Sequence, residues 1–192
     1  MFSHINQFII NCSQSWWKIL LIFLGQAGTM QVLMRITGEF PSVTAGDVPF
    51  DMQNTLKPEQ IFVQLEGYTE RAFDLYMIFQ ATDYLFPLFA GLLLATVCAF
   101  SLRHLAPGFY SIAVARNLFV LLLIPTVFDW LENINLLWAV TAWPEPAHVA
   151  ANLAVAAKMG KLTTMGIAFL ITGVLLMGAA GNWLRQRIRG SQ

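Results

Sequence analysis

Charged residues are scarce in this chain. Asp, Glu, Lys and Arg make up 11% of its 192 residues, and they balance to a formal net charge of zero. Hydrophobic residues make up 57%, and the mean hydropathy is +0.60. A soluble domain carries about 25% charged residues, so this composition excludes a soluble globular domain. The lack of a strongly basic face also argues against nucleic-acid binding.

Histidine and cysteine are few as well. The histidines, His4, His104 and His148, lie at or beyond the edges of the apolar segments, so they cannot supply paired axial ligands to a haem inside a membrane. Cys12 and Cys98 form no C-x-x-C pair, which argues against thiol redox chemistry and against a structural disulfide. The sequence therefore predicts no bound cofactor.

Long apolar runs are what the chain has in abundance. Four stretches, at about 16–36, 75–102, 118–140 and 162–184, approach the ~20 residues that a bilayer core of ~30 Å requires. Their length and their Leu, Ile, Phe and Ala content favour helices over barrel strands, which alternate over ~10 residues. We predict an all-α fold, a four-helix bundle that forms one integral-membrane domain over residues 1–192.

The basic residues predict the orientation, because positive charge is retained on the cytoplasmic side. They flank the second loop and follow the last span: Arg103, Arg116, Arg185, Arg187 and Arg189. The first loop, 37–70, instead carries six acidic residues against the single base Lys57. We expect both termini in the cytoplasm, the first loop outside, and a multi-pass location in the cell membrane, specifically the bacterial inner membrane.

The first loop also predicts a short amphipathic helix. Thr55 is a typical helix start, Pro58 suits the first turn and Gly67 is a typical stop. Between them, three apolar residues share one side: Ile61, Phe62 and Leu65. We expect this helix to lie over the outer mouth of the bundle, either as a lid or as an inert interfacial helix.

Three carboxylates interrupt the apolar segments: Asp83 in the second, and Asp129 and Glu132 in the third. An ionisable group in hydrocarbon costs roughly 2.5–3.5 kcal/mol on insertion scales, so it marks a functional site by default. At 1.5 Å per residue, Asp83 and Glu132 lie roughly 7 Å outward from the middle of their spans, and Asp129 about 3 Å. The three groups therefore share a layer in the outer half of the membrane.

Helical spacing places further polar residues in that layer, because residues three and four apart share a helix face. The predicted ligand-binding residues are Tyr76, Gln80, Asp83, Asp129, Trp130, Glu132, Asn133, Lys161 and Gln31. Lys158 and Arg35 are weaker candidates, because long basic side chains near helix ends usually extend to the interface.

Two interpretations of this layer stay open. In the first, Lys161 pairs with Asp129 or Glu132, and the network only fixes the register of the helices. In the second, the excess of carboxylates lines a polar pocket open to the outer face. If the protein is an enzyme, Asp83, Asp129 and Glu132 are the catalytic candidates, since carboxyl groups transfer protons. The nearby lysine disfavours a metal held by these carboxylates, so we predict no metal site.

Two family resemblances rest on these residues. The segment KPEQIFVQLEGYTERAFDLYMIFQATDYLFP from Lys57 to Pro87, FDWLEN at 128–133 and a lysine early in the last span resemble an uncharacterised class of bacterial four-span membrane proteins. The order of one span, a long loop and an acid shortly before Phe86-Pro87 is similar to the EXPERA group, the family of the sigma-2 receptor and the emopamil-binding sterol isomerase. That resemblance implies binding of sterol-like amphiphiles through intramembrane carboxylates, with isomerisation by proton transfer in some members.

The leading hypothesis is an outward-facing acidic pocket that binds a small amphiphile, such as a lipid, an isoprenoid or an amine, with proton-transfer chemistry as an option. The alternative is an accessory or structural subunit of a larger membrane complex. Gly166, Gly173 and Ala180 recur every seven residues and permit close approach of another helix, so a homo-oligomer or a larger complex is an expected assembly. Proton-coupled transport is less favoured, because four helices without an inverted repeat leave little room for alternating access.

Overall fold

The computed structural model describes residues 1–190, and the side chains at 186, 187, 189 and 190 lie outside this description. Arg187 and Arg189, on which the predicted orientation partly depends, belong to that set. The chain is 84% helical, and residues 1–190 contain no strand. The all-α prediction is therefore confirmed.

Eight α-helices follow one another along the described chain. They are α1 (Phe2–Ser13), α2 (Trp16–Glu39), α3 (Pro58–Leu65), α4 (Glu70–Asp83), α5 (Phe86–Leu105), α6 (Pro107–Ala115), α7 (Ile124–Thr141) and α8 (His148–Gly190). Short 3₁₀ turns lie at Phe40–Ser42, Phe50–Met52 and Leu118–Leu123.

Four helical segments are long and apolar enough to cross a membrane. They are Trp16–Ser42, Glu70–Leu105, Leu118–Thr141 and His148–Arg185. Their number and order agree with the four predicted spans. Large apolar side chains are exposed along them, among them Leu21, Leu24, Leu131, Leu170 and Met177.

The last helix starts much earlier than the predicted boundary at 162, because α8 begins at His148. Pro144 and Pro146 are the last turn-forming residues before it, and the run 149–157 is rich in alanine, the strongest helix former. Polar and basic residues lower the hydropathy of this first part. The boundary at 162 that hydropathy predicts therefore lies inside α8 and not at its start.

The second and third spans are each interrupted once, and a proline lies near each interruption. α4 ends at Asp83 and α5 begins at Phe86, with Pro87 in its first turn. The 3₁₀ turn Leu118–Leu123 likewise gives way to α7 just before Pro125. A proline has no N–H to donate to the preceding turn, which explains why a regular helix is interrupted near each of these two residues.

The secondary structure of the connecting segments differs from the prediction at two places. The supposed short loop between the second and third spans contains α6, which opens on Pro107. In the first loop, α3 begins at Pro58 rather than Thr55, and the Lys57 N–H donates to Gln60 Oε1 at 2.8 Å. Proline at the first helical position explains both starts, because its φ is already helical.

The chain folds as two compact units. The first unit comprises residues 1–24, 89–124 and those from 163 onward. In it, Asn6 Nδ2 donates to the Val114 carbonyl at 3.4 Å, and Arg103 donates to the Ser13 carbonyl at 3.2 Å. Its apolar core includes Ile9, Ala95, Ala99, Phe119 and Ala168.

The second unit comprises residues 25–88 and 125–162. Its core contains residues from the first loop as well as from the helices: Phe40, Phe50, Ile61, Tyr76, Phe79 and Leu136. The Phe50 ring stacks on Tyr68 with ring centroids 5.6 Å apart, and it meets Tyr76 edge-on at 5.5 Å. The first loop is therefore folded into the core of this unit.

Candidate functional site

A cluster of ionisable and amide side chains lies wholly within the second unit, and we call it the acidic cluster. Its residues are Asp51 in the first loop, Tyr76, Gln80 and Asp83 on α4, Asp129, Glu132 and Asn133 on α7, and Lys158 and Lys161 on α8. Spacings of three and four residues place the members from each helix on one face.

Glu132 is the most enclosed carboxylate of the cluster, at 0% exposure. Its Oε1 lies 3.0 Å from Lys158 Nζ, and its Oε2 lies 2.5 Å from Lys161 Nζ. Lys161 Nζ is also 3.6 Å from Asp129 Oδ2. A buried carboxylate needs such partners, because leaving one without compensation is strongly destabilising. Two ammonium groups therefore neutralise Glu132.

A close approach of α7 and α8 supports these ion pairs. A Cβ added to Gly160 would lie 2.6 Å from the Phe128 ring, which is too close for a real contact. Only glycine therefore allows Phe128 to occupy this place beside Lys161. By contrast, a Cβ added at Gly166 or Gly173 would meet nothing within 4 Å.

Lys158 corrects the expectation that its side chain extends to the interface. It is 2% exposed, and its Nζ donates to the carbonyl oxygens of Phe50 at 2.7 Å and Gln53 at 2.8 Å. The early start of α8 is the reason, because it places Lys158 well inside the helix rather than near its end. Lys158 therefore belongs to the cluster, although the sequence predicted it only as a weaker candidate.

Asp51 belongs to the cluster although it is not among the predicted ligand-binding residues. Its Oδ2 accepts hydrogen bonds from Tyr76 Oη at 3.1 Å and from Gln80 Nε2 at 2.8 Å. Burial, followed by the charges of Asp83 and Glu132, raises the pKa of Asp51 from 3.8 to about 7. The available signal was the apolar run Val48-Pro49-Phe50 directly before it, which marks a loop segment that turns inward.

Asp83 is 6% exposed and is held by an amide on α7. Asn133 Nδ2 donates to Asp83 Oδ2 at 3.0 Å and to the Asp83 carbonyl oxygen at 3.4 Å. Pro87 lies four residues after Asp83 and has no N–H for that carbonyl. The helix interruption therefore gives Asn133 a second acceptor, and this fixes its amide orientation.

The same interruption is tied to α7 at two further points. Trp130 Nε1 donates to the Tyr84 carbonyl at 2.9 Å, and Thr126 Oγ1 donates to the Pro87 carbonyl at 2.7 Å. The Tyr84 carbonyl lies in the interruption itself, and the Pro87 carbonyl lies in the first turn of α5. In this structure Trp130 therefore holds the junction of α4 and α5 beside the cluster.

The structure brings together eight of the nine predicted ligand-binding residues, with Trp130 at the edge of the cluster. The exception is Gln31, which is exposed on α2 and is not brought into the cluster. Arg35, the other weak candidate, is exposed as well.

The acidic cluster contains more hydrogen-bond acceptors than hydrogen-bond donors. Within residues 1–190, the cluster combines four carboxyl groups, those of Asp51, Asp83, Asp129 and Glu132, with two ammonium groups, those of Lys158 and Lys161. Among the described residues, six buried oxygen atoms of the cluster accept no hydrogen bond. The two on Glu132 are ion-paired with Lys158 and Lys161, and the other four are Asp51 Oδ1, Gln80 Oε1, Asp129 Oδ1 and Asn133 Oδ1. An unsatisfied buried acceptor costs about 1–3 kcal/mol, so a further hydrogen-bond donor at any of these four atoms would be favourable.

The arrangement of the carboxyl groups bears on which kind of ligand the cluster could hold. Within residues 1–190, no group of three or more His, Cys, Asp or Glu side chains is arranged to hold a metal ion. Oxygen ligands to Ca²⁺ or Mg²⁺ converge within about 2.6 Å of one point. The free acceptors therefore favour a ligand with several separated donors over a bare ion.

Comparison with known protein families, with curated proteins and with solved structures finds no match. The function proposed below therefore rests on the geometry of the acidic cluster.

Proposed function

We propose that this chain is a multi-pass membrane protein whose acidic cluster binds the polar head of a small amphiphile. Four apolar helical segments and their exposed side chains support membrane insertion. The distribution of basic residues supports cytoplasmic termini and an outer location for the first loop. The cluster, which includes Asp51 from that loop, is then reached from the outer side of the cell membrane.

One observation carries the proposal, namely the four buried acceptors without a donor in a cluster with surplus carboxylate. Asp51 and Asp83 receive hydrogen bonds from neutral side chains and form no ion pair among the described residues. A cationic head with several N–H donors would satisfy both the charge and the acceptors. Among lipids, isoprenoids and amines, an amine fits this cluster best.

Proton transfer to a bound molecule stays within the chemistry of the cluster. The pKa of Asp51, raised to about 7 by burial and by the charges of Asp83 and Glu132, allows it to take up and release a proton near neutral pH. We infer binding as the primary function, with a reaction as an extension of it.

The test compares head groups on one alkyl chain. Thermal unfolding in a nonionic detergent is measured with dodecylamine, dodecanol or laurate, for the wild type, Asp83→Asn and Asp74→Asn. Asp74 is exposed on the same helix, so its variant is the matched control. A ligand at 100 times its Kd stabilises by about 2.7 kcal/mol.

We expect dodecylamine to stabilise the wild type and Asp74→Asn but not Asp83→Asn, with little effect of the alcohol or the acid. Native mass spectrometry should also find a co-purified small molecule on the first two proteins only. Equal responses of all three proteins to all three compounds would count against the proposal.

The second candidate function is an accessory subunit, and the open space beside Gly166 and Gly173 favours it. Small residues let another helix approach closely in a membrane. Light scattering of the detergent-solubilised particle tests this candidate through Gly166→Leu and Gly173→Leu, with Gly28→Leu on α2 as the control. A smaller particle for the α8 variants alone would support assembly through this face.

A further inference from the structure

Lys158 connects α8 to the first loop through three backbone carbonyls. Its Nζ lies 2.7 Å from the Phe50 oxygen, 2.8 Å from the Gln53 oxygen and 3.4 Å from the Asp51 oxygen. The fourth partner, Glu132 Oε1, lies 3.0 Å away on α7. An ammonium group has three N–H donors, so the loop carbonyls supply most of the solvation of this buried charge.

The loop segment that Lys158 contacts, residues 48–57, is called the Asp51 segment here. Several of its polar contacts are internal or go to α3. Gln53 Nε2 donates to the Val48 carbonyl at 2.7 Å. The amides of Gln53 and Gln64 also pair reciprocally, at 2.9 and 3.0 Å. The Asp51 segment and α3 are thus joined to each other.

Within the described part of the chain, the polar contacts from the Asp51 segment to α4, α7 and α8 involve two residues. One is the Asp51 carboxylate, which accepts from Tyr76 and Gln80 on α4. The other is Lys158, which holds the backbone of the segment directly. Apolar packing of Phe50 adds to these contacts. Lys158 is therefore the polar anchor of the segment on α8.

We propose that Lys158 is a positioning residue that latches the Asp51 segment against the acidic cluster, and that the segment opens with α3 as a lid when this latch is released. The latch rests on the geometry alone, whereas its role in ligand exchange rests on the proposed function. Opening withdraws Asp51 from the cluster and uncovers Gln80. One movement thus removes a binding carboxylate and frees the path to the others.

A buried reporter cysteine measures opening without any ligand. Leu56 lies in the Asp51 segment at 5% exposure, so Leu56→Cys reacts slowly with a maleimide while the segment is closed. The native cysteines are first replaced by Cys12→Ser and Cys98→Ala. We expect Lys158→Met to raise the labelling rate at least tenfold.

Lys161→Met is the matched control for the loss of an ammonium group. Lys161 forms ion pairs with Glu132 and Asp129 on α7, so its removal also leaves Glu132 less compensated. We expect its labelling rate to stay within about twofold of the parent. Equal acceleration by both variants would show that loss of charge compensation, and not the latch, opens the segment.

A second pair of variants keeps the test decisive if Lys158→Met alone fails to fold. Glu132→Gln removes the buried negative charge, and Glu132→Gln with Lys158→Met removes both charges of the pair. The latch predicts slow labelling for the first and fast labelling for the second. Equal rates for these two proteins would overturn the latch.

Dodecylamine binding to the same proteins separates the latch from the proposed function. A latch that aids binding predicts at least tenfold faster ligand dissociation in the double variant than in Glu132→Gln. Faster labelling with no amine binding in the wild type would leave the latch standing and would refute the proposed function. Amine binding by the wild type, together with equal labelling rates for Glu132→Gln and the double variant, would support the proposed function and refute the latch.

Discussion

Asp51→Asn should remove a pH dependence from the stability of the fold. The substitution keeps an oxygen that can accept from Tyr76 and Gln80, and it removes the charge. In the wild type, burial and the charges of Asp83 and Glu132 raise the pKa of Asp51 from 3.8 to about 7. Lys161 and Lys158, which act in the opposite direction, do not offset this rise.

The sign follows from which state binds the proton more tightly. The folded carboxyl holds its proton at a higher pH than the unfolded one, so protonation favours the folded state. The contribution of Asp51 to stability is therefore fully present below about pH 4 and is lost as the pH rises through about 7. Above pH 8 the charged carboxylate is a net cost to the fold.

The magnitude follows from the size of the pKa rise. At 1.36 kcal/mol per pKa unit, a rise from 3.8 to about 7 corresponds to about 4 kcal/mol. Asp51 is partly exposed, and solvent screens its charge. We therefore expect the free energy of unfolding to fall by about 2 kcal/mol between pH 5 and pH 8 because of Asp51. For a chain of this size that is about 4–8 °C in Tm.

The assay is thermal unfolding in a nonionic detergent at pH 5 and pH 8, followed by tryptophan fluorescence. We expect the wild type to lose about 4–8 °C more than Asp51→Asn over this range, and the variant to be the more stable protein at pH 8. Glu59→Gln, an exposed change in the same loop, should behave as the wild type. An identical pH dependence in wild type and Asp51→Asn would refute a buried, charge-coupled Asp51.

Three further outcomes test other parts of the structure. In a cysteine-free background, Glu59→Cys, which is exposed on α3, should react with an impermeant maleimide added outside the cell, and labelling only after permeabilisation would reverse the topology. Gly160→Ala should lower stability by about 1–3 kcal/mol because its Cβ meets the Phe128 ring, whereas Gly166→Ala should change stability by less than about 0.5 kcal/mol. Asn133→Leu should cost about 1–3 kcal/mol by removing the donor to the carboxylate on α4, and an unchanged Tm would contradict that hydrogen bond.

The four long helices and much of the acidic cluster could be predicted from the sequence. Spans of about 20 apolar residues give a strong local signal, and helical periodicity sorts polar residues onto faces without any tertiary information. For that reason Asp83, Gln80 and Tyr76 share one face of α4, and Asp129 and Glu132 share one face of α7. Helical periodicity therefore assigns a residue to one face of its helix, whereas the partners of that face depend on the rest of the fold.

Asp51 and Lys158 could not be placed in this way. The position of Asp51 depends on how an irregular loop packs Phe50 into the core, and no periodicity describes such a loop. Lys158 depends in turn on that loop, because its partners are backbone carbonyls that every sequence possesses. Its burial becomes visible only when the chain that supplies the oxygens has been placed.

The two interpretations of the polar layer apply to different residues of it. Glu132, with an ammonium group on each oxygen, has the arrangement expected of a structural ion-pair network. Asp51 and Asp83 are held by neutral donors, and beside them lie buried acceptors that the protein leaves free. A network that served only helix register would gain stability by replacing such carboxylates with amides. The presence of two buried acids that form no ion pair among residues 1–190 is therefore the feature that the structural interpretation leaves unexplained, and a bound cation would explain it.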